Sequence, residues 1–373
     1  MVEQHILQAD SDYTELDRYF DDSGIKSIFM VCGNSFKKLK LCKYFDSLQE
    51  RLKIAVTYWS EFTPNPQYEQ VCDGLDAFKA SAYDAIAAVG GGSAMDVAKC
   101  IKLFSNMDDG KNYLEQEIVA NDIPFLAVPT TAGTGSEATR FAVIYYKGNK
   151  QSVHHISCIP QTVLLDPGTL DSLPDYQRKA TMLDALGHAM ESFWSVNSND
   201  ESKEYAKNAI KLVLDNIDGY LANTPDGNAN MLKAAFVAGQ AINITQTTAG
   251  HAMCYKITGT FGASHGHAVA LVIRKLFPYM LDNLDKCIDS RGEEYLGKTF
   301  EELGNAMGCN NAVEATVLLD KLFDSLGLEI PQATEAEYEM LKNSVNIDRL
   351  KNNPIELDEK AIDYLYHQIL EAD

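Results

Sequence analysis

The chain carries little positive charge: 32 Lys and Arg stand against 53 Asp and Glu, for a formal net charge of −21 and a pI near 4.7. Such a balance repels phosphate backbones and anionic lipid surfaces, which argues against nucleic acid or a membrane as partner. Long apolar runs are missing too. No uncharged stretch approaches the roughly 18 apolar residues of a membrane span, and the opening MVEQHILQAD lacks a basic region followed by an apolar core, so no leader is expected. Paired cysteines are likewise missing. The eight cysteines (Cys32, Cys42, Cys72, Cys100, Cys158, Cys254, Cys287, Cys309) stand singly, without a CxxC or a disulfide-dense spacing, which points to a reduced, cytoplasmic protein. There is no internal repeat, no low-complexity segment and no Pro/Gly/Ser linker.

What is present divides the chain by period. At 373 residues it is long enough for two cores. KSIFMV, KIAVTY, YDAIAAVG and PFLAVPTT read as strands separated by amphipathic helical segments, the pattern of a parallel α/β sheet. FAVIYY and SVHHIS, split by KGNK, predict a hairpin, and TVLLD a further strand before Pro167. From SLPDYQRKATMLDALGHAMESFWS onward, apolar residues recur at i, i+3 and i+4. The expected architecture is a Rossmann-like α/β domain over 1–170 followed by an all-α domain over 171–373.

Two loops carry phosphate-binding chemistry. In DAIAAVGGGSAMDVAK a strand runs through Gly90, Gly91, Gly92 and Ser93 into a helix expected from about Ala94. Residues without Cβ let backbone N–H groups approach a phosphate, and the helix start favours negative charge. Three glycines also occur in strand-to-helix turns that bind nothing, but VPTTAGTGSEAT adds a second loop after a strand, with the hydroxyls of Thr130, Thr131, Thr134 and Ser136.

A third segment, GHAMCYKITGTFGASHGH over 250–267, packs three histidines and four glycines together. His251 and His265 lie fourteen apart, a spacing suited to a helix, a turn and a return. Upstream, Asp184 and His188 are four apart and so share one helix face. Any one of these histidines alone is better read as a core or surface residue. A carboxylate and three imidazoles together suit Fe²⁺, or Zn²⁺.

AVGGGSAMDVAK, VPTTAGTGSEAT, DALGHAMES and AGHAMCYKITGTFGASHGHAVAL, in this order and at these separations, resemble the iron-containing (group III) alcohol dehydrogenases. The resemblance covers nearly the whole chain. It implies an N-terminal dinucleotide domain and a helical metal domain of the dehydroquinate synthase-like fold, with the active site in the cleft between. It further implies NAD(P)H as cofactor, Asp184, His188, His251 and His265 as metal ligands, and cofactor contacts from Gly91, Gly92, Ser93, Asp96, Thr130, Thr131 and Thr134. A homodimer is the expected assembly.

Three positions depart from the family pattern. Where many members carry a second histidine four residues after His251, this chain has Tyr255, and His267 is the possible substitute as proton relay. Where NAD-dependent members end the first strand in a ribose-binding Asp, it has Gly33, with Lys37 and Lys38 near, so NADP is expected beside NAD. Arg140 follows directly on GSEAT. More narrowly, TAGTGSEATRFAVIY and INITQTTAGHAMCYKITGTFGASHGHAVAL resemble the phosphonoacetaldehyde reductase branch, which implies reduction of an aldehyde phosphonate, with Arg140 and Lys256 as substrate-binding cations. A short-chain alcohol or propanediol dehydrogenase, and a non-catalytic nucleotide or metal sensor, are the alternatives on the same scaffold.

Overall fold

A computed structural model describes residues 3–345 and 350–371, which fold as two compact units. The first runs to Leu173 and takes back Ala222–Leu232; the second comprises Pro174–Leu221 and the chain from Lys233. Helical period alone places everything after 170 in one domain, whereas the fold returns Ala222–Leu232 to the first unit. The returning segment belongs to long helices by its period, and period says nothing about which core a helix end packs against.

The first unit is a six-stranded parallel sheet with strands in the order β1-β8-β5-β4-β2-β3. These are β1 (His5–Gln8), β2 (Ser27–Cys32), β3 (Ala55–Trp59), β4 (Ala85–Gly90), β5 (Phe125–Pro129) and β8 (Thr162–Leu165). Helices α1 (Thr14–Ser23), α2 (Lys40–Arg51), α3 (Tyr68–Lys79) and α4 (Gly92–Phe104) connect them. Strands β4 and β5 are buried along their whole length, which accounts for their unbroken apolar sequences. The hairpin forms from β6 (Phe141–Tyr146) and β7 (Asn149–His154). Only Lys147 and Gly148 make its turn, both at positive φ, the tight two-residue connection that matches strand twist. Strand β1, by contrast, gave no usable signal: four residues at a sheet edge, of which only Leu7 is buried.

The second unit contains α5 (Asp175–Trp194), α6 (Asp200–Leu221), α8 (Ala249–Phe261), α9 (His265–Asp282), α10 (Glu293–Ala306), α11 (Ala312–Ser325), α12 (Glu335–Ser344) and α13 (Glu359–Leu370). Helix α7 (Pro225–Thr245) begins in the first unit and ends here. Every residue of α5 from Met182 onward is buried, so α5 is the central helix rather than an amphipathic surface one. Glycines let its neighbours approach. A Cβ at Gly187 would stand 2.7 Å from Val269 Cγ1, and one at Gly250 would stand 2.8 Å from both Glu191 Oε1 and Ile273 Cγ1. A Cβ at Gly266 would strike the Ala180 carbonyl and come within 2.6 Å of Asp184 Cβ. The glycines of the histidine-rich segment thus have two distinct uses: Gly250 and Gly266 permit close packing, while Gly262 ends α8 at φ 72°. Among the described residues no helix is long and apolar enough to cross a membrane.

Candidate active site

In the first unit the loops of interest leave the carboxyl ends of three adjacent strands. Strand β2 lies between β3 and β4, and β4 lies between β2 and β5. The chain therefore proceeds outward to β3 after β2 and to the other side after β4, which makes β2/β4 the switch point where α/β sheets bind ligands. Gly33 follows β2, and its N–H donates to the Val89 carbonyl at 3.3 Å. Gly91 follows β4, and Thr130, after β5, donates its N–H to the Gly90 carbonyl at 3.0 Å. Lys37 and Lys38 lie exposed on the 3₁₀ turn Asn34–Lys38 that follows Gly33.

Helix α4 begins at Gly92 with no side-chain cap; Ala94 and Met95 already donate their N–H groups to the Gly91 carbonyl, which leaves those of Gly92 and Ser93 for an incoming acceptor. A Cβ on Gly91 would lie 3.3 Å from the Thr131 side chain, and one on Gly92 would lie 3.1 Å from Thr134 Cγ2. The two loops therefore close on each other only because side chains are missing. Asp96 Oδ1 accepts from Ser136 Oγ at 3.1 Å, and burial, partly opposed by Lys99, raises its carboxyl to about 6. Lys99, fully buried one turn on, donates to the Ser136 and Phe141 carbonyls at 2.6 and 2.7 Å and to the hydroxyls of Ser136 and Thr139. It stitches the second loop onto α4. Arg140, within the stitched segment, is half-buried with its guanidinium 5.0 Å from the Phe141 ring.

The second unit holds the metal-type donors. Asp184 and His188 project from one face of α5, and α8 brings His251 to them, so that ligand atoms of the three lie within 4.8 Å of one another, all buried. His251 Nε2 and Asp184 Oδ1 face each other at 3.5 Å, and neither makes a hydrogen bond. Two buried polar atoms left unsatisfied side by side would cost about 1–3 kcal/mol each. Their spacing is that of neighbouring donors on a tetrahedral ion, about 3.4 Å for bonds near 2.1 Å. The donor set therefore fits a divalent cation. His265, opening α9, sets Nε2 3.8 Å from the same Asp184 oxygen, with its ring 38 % exposed. Tyr255 stacks on His265 with ring centroids 5.7 Å apart, and Cys254 Sγ is 3.6 Å from His265 Nδ1.

The electrostatics of the cluster favour a cation. Burial alone would raise the Asp184 carboxyl, but His188, His265 and His251 hold it below the ordinary carboxylate range. Burial would lower His251, but Glu191 and Asp184 outweigh it and lift the imidazole to about 9.

The remaining expected residues occupy separate surroundings. His267 is buried, with Nδ1 3.1 Å from Tyr176 Oη and its ring tilted against Phe323. Lys256 is exposed; five residues past His251, it lies about 140° further round α8. Two residues escaped the sequence reading. Lys99 gave no signal: it is one of the two lysines of α4, with Lys102, and nothing in their spacing marks either as buried. Glu191 could have been found: it is i+7 from Asp184 and i+3 from His188, on the same face of α5.

Comparison with known proteins places the fold in a family. Residues 4–167 match the family model for iron-containing alcohol dehydrogenase, and residues 179–370 the model for the C-terminal part of that family. An aldehyde-alcohol dehydrogenase of Streptococcus pneumoniae is 32% identical over 247 residues, which cover 62% of this chain but only 28% of that protein's length. A phosphonoacetaldehyde reductase of Streptomyces viridochromogenes is 29% identical over 294 residues, 75% of this chain and 74% of the relative. The solved structure of sulfoacetaldehyde reductase from Bifidobacterium kashiwanohense in complex with NAD⁺ has the same fold, with TM-score 0.88 over 100% of this chain and 98% of that one at 24% identity. With a parallel-sheet unit, a helical unit holding convergent Asp and His donors, and family models matched across both, the chain belongs to the iron-containing alcohol dehydrogenase family.

Proposed function

We propose that the protein is a metal-dependent NAD(P)H oxidoreductase that reduces a small aldehyde to a primary alcohol, most specifically phosphonoacetaldehyde to 2-hydroxyethylphosphonate. The observation that carries the reading is the buried convergence of Asp184, His188 and His251, with Asp184 Oδ1 and His251 Nε2 both left without a hydrogen bond. Together with His265 these residues would hold the ion, Fe²⁺ first and Zn²⁺ second. When bound, the ion supplies Lewis acidity toward the carbonyl oxygen and the nicotinamide supplies the hydride. The sum is aldehyde plus NAD(P)H plus a proton giving alcohol plus NAD(P)⁺. The chain's own work is binding and positioning: Gly91, Gly92, Ser93 and the start of α4 take the pyrophosphate, with Asp96, Thr130, Thr131 and Thr134 alongside. Gly33 leaves room for a 2′-phosphate near Lys37 and Lys38. Tyr255 and His267 are the two candidates to deliver the proton to the substrate oxygen.

The phosphonate assignment rests on the similarity to a phosphonoacetaldehyde reductase and on charge. A dianion approaching a chain of net charge −21 needs a local cation. Arg140 offers a planar fork for two phosphonate oxygens; Lys256, on another face of α8 than His251, is the secondary choice. The test is oxidation of NADH and of NADPH by the Fe²⁺-loaded protein with phosphonoacetaldehyde beside an uncharged aldehyde of similar size. Arg140→Ala should reduce turnover of the phosphonate far more than that of the neutral aldehyde. Equal losses on both would leave a general short-chain alcohol dehydrogenase as the reading, and no oxidation with any aldehyde would leave a sensor.

A further inference from the structure

Glu191 is a fully buried carboxylate on α5, and among the described residues its oxygens are hydrogen-bonded to the short segment 248–251. Oε1 accepts three hydrogen bonds, from Thr248 Oγ1 at 2.6 Å, Thr248 N at 3.1 Å and His251 N at 3.3 Å. The direction of the hydroxyl bond is set from behind, since Trp194 Nε1 donates to Thr248 Oγ1 at 3.0 Å and leaves the hydroxyl proton for Glu191. Oε2 is hydrogen-bonded to His251 Nδ1. A Cβ on Gly250 would stand 2.8 Å from Oε1, so the glycine before His251 is what admits the carboxylate.

A carboxylate ion has only lone pairs to offer, so the shared proton of the Glu191–His251 bond comes from Nδ1. Metal binding requires the ring to lose its second proton, and with Nδ1 held protonated the lone pair then lies on Nε2, the atom 3.5 Å from Asp184 Oδ1 without a hydrogen bond. We propose that Glu191 is the positioning residue of the metal centre: it fixes His251 in the Nδ1–H tautomer, anchors the first turn of α8 through Thr248, and so presents Nε2 to the ion. The inference rests on the reading of Asp184, His188 and His251 as ligands. Carboxylates that orient ligand histidines in this way contribute about 10- to 100-fold in metal affinity.

Glu191→Gln is the discriminating change. Three donors converge on Oε1, so the amide oxygen must occupy that place, and the amide NH₂ is left facing His251 Nδ1. A donor there requires Nδ1 to accept, which moves the ring proton to Nε2 and blocks the ligand atom with almost no change in shape. Co²⁺ titration followed by visible absorption should show an affinity loss of about 10- to 100-fold in Glu191→Gln, while the melting temperature of the metal-free protein stays near that of the unaltered chain. His251→Ala should abolish the Co²⁺ spectrum. Unchanged Co²⁺ affinity in Glu191→Gln, with His251→Ala inactive in binding, overturns the role of Glu191 and leaves the ligand set standing. Unchanged binding in His251→Ala overturns both. A measurement on the unaltered protein makes the test independent of folding: ¹⁵N-histidine spectra of the Zn²⁺-loaded chain should show His251 protonated at Nδ1 and bound through Nε2, and binding through Nδ1 overturns the proposal.

Discussion

In the first unit the candidate site is made of backbone: Gly91 and Gly92 lack the side chains that would crowd Thr131 and Thr134, and α4 starts there uncapped. In the second, Asp184, His188 and His251 contribute side-chain atoms that converge from α5 and α8. Each site is braced by one fully buried charge, and the two charges are satisfied differently. Lys99 spends its donors on two carbonyls and two hydroxyls that belong to the loop it holds. Glu191 spends its acceptors on a segment that includes a ligand candidate itself. A backbone site needs its brace only to keep a loop closed, whereas a side-chain site needs one that also sets the protonation pattern of a ligand.

If the two sites are separable in this way, damage to one should spare the other. The largest effect is expected from His188→Ala, which removes a buried donor and should abolish Fe²⁺ retention and nearly all turnover while NAD(P)H binding changes by no more than about twofold. Metal analysis beside cofactor fluorescence checks this, and a parallel loss of cofactor binding would break the contrast. Next comes Gly266→Ala, whose methyl would meet the Ala180 carbonyl and Asp184 Cβ. Forcing α9 away from α5 should cost about 1–3 kcal/mol by calorimetry and lower metal occupancy. Gly259→Ala is the control: a Cβ there meets nothing within 4 Å, and helix propensity should make it neutral or slightly stabilising.

Gly33→Asp sharpens the comparison from the other side. A carboxylate after β2 should shift the NADPH to NADH preference toward NADH by roughly tenfold or more in KM, with metal content unaltered. A protein already strict for NADH would show that groups other than Gly33 decide. The smallest effect concerns Glu137, buried beside the Lys99 anchor with Oε1 making no hydrogen bond. Burial, partly opposed by its own backbone N–H and by Lys99, raises its carboxyl to about 7. Because the folded chain holds that proton more tightly than the unfolded one, the stabilisation is complete below about pH 4.3 and is lost as pH rises through 7. Glu137→Gln should therefore melt on the order of 2–4 °C higher than the unaltered protein at pH 8, with the gap closing toward pH 5; a gap independent of pH would show that Glu137 does not titrate there.

The sequence alone was enough for whatever depends on neighbours along the chain. Asp184 and His188 could be paired because a helix puts i and i+4 on one face, and the glycine loops could be read because a strand, a turn and a helix follow in direct succession. The change from strand to helix spacing near 170 separated two kinds of structure for the same reason. Tertiary structure decided the rest. Only packing shows that Ala222–Leu232 returns to the first unit, that β1 completes the sheet edge, and that Lys256 is exposed while His251 is buried. Only packing joins Glu191 to His251, 60 residues away. Such pairs are set by how closely helices approach, and here the approach is set by glycines whose role is invisible until the atoms that would strike a side chain are in place.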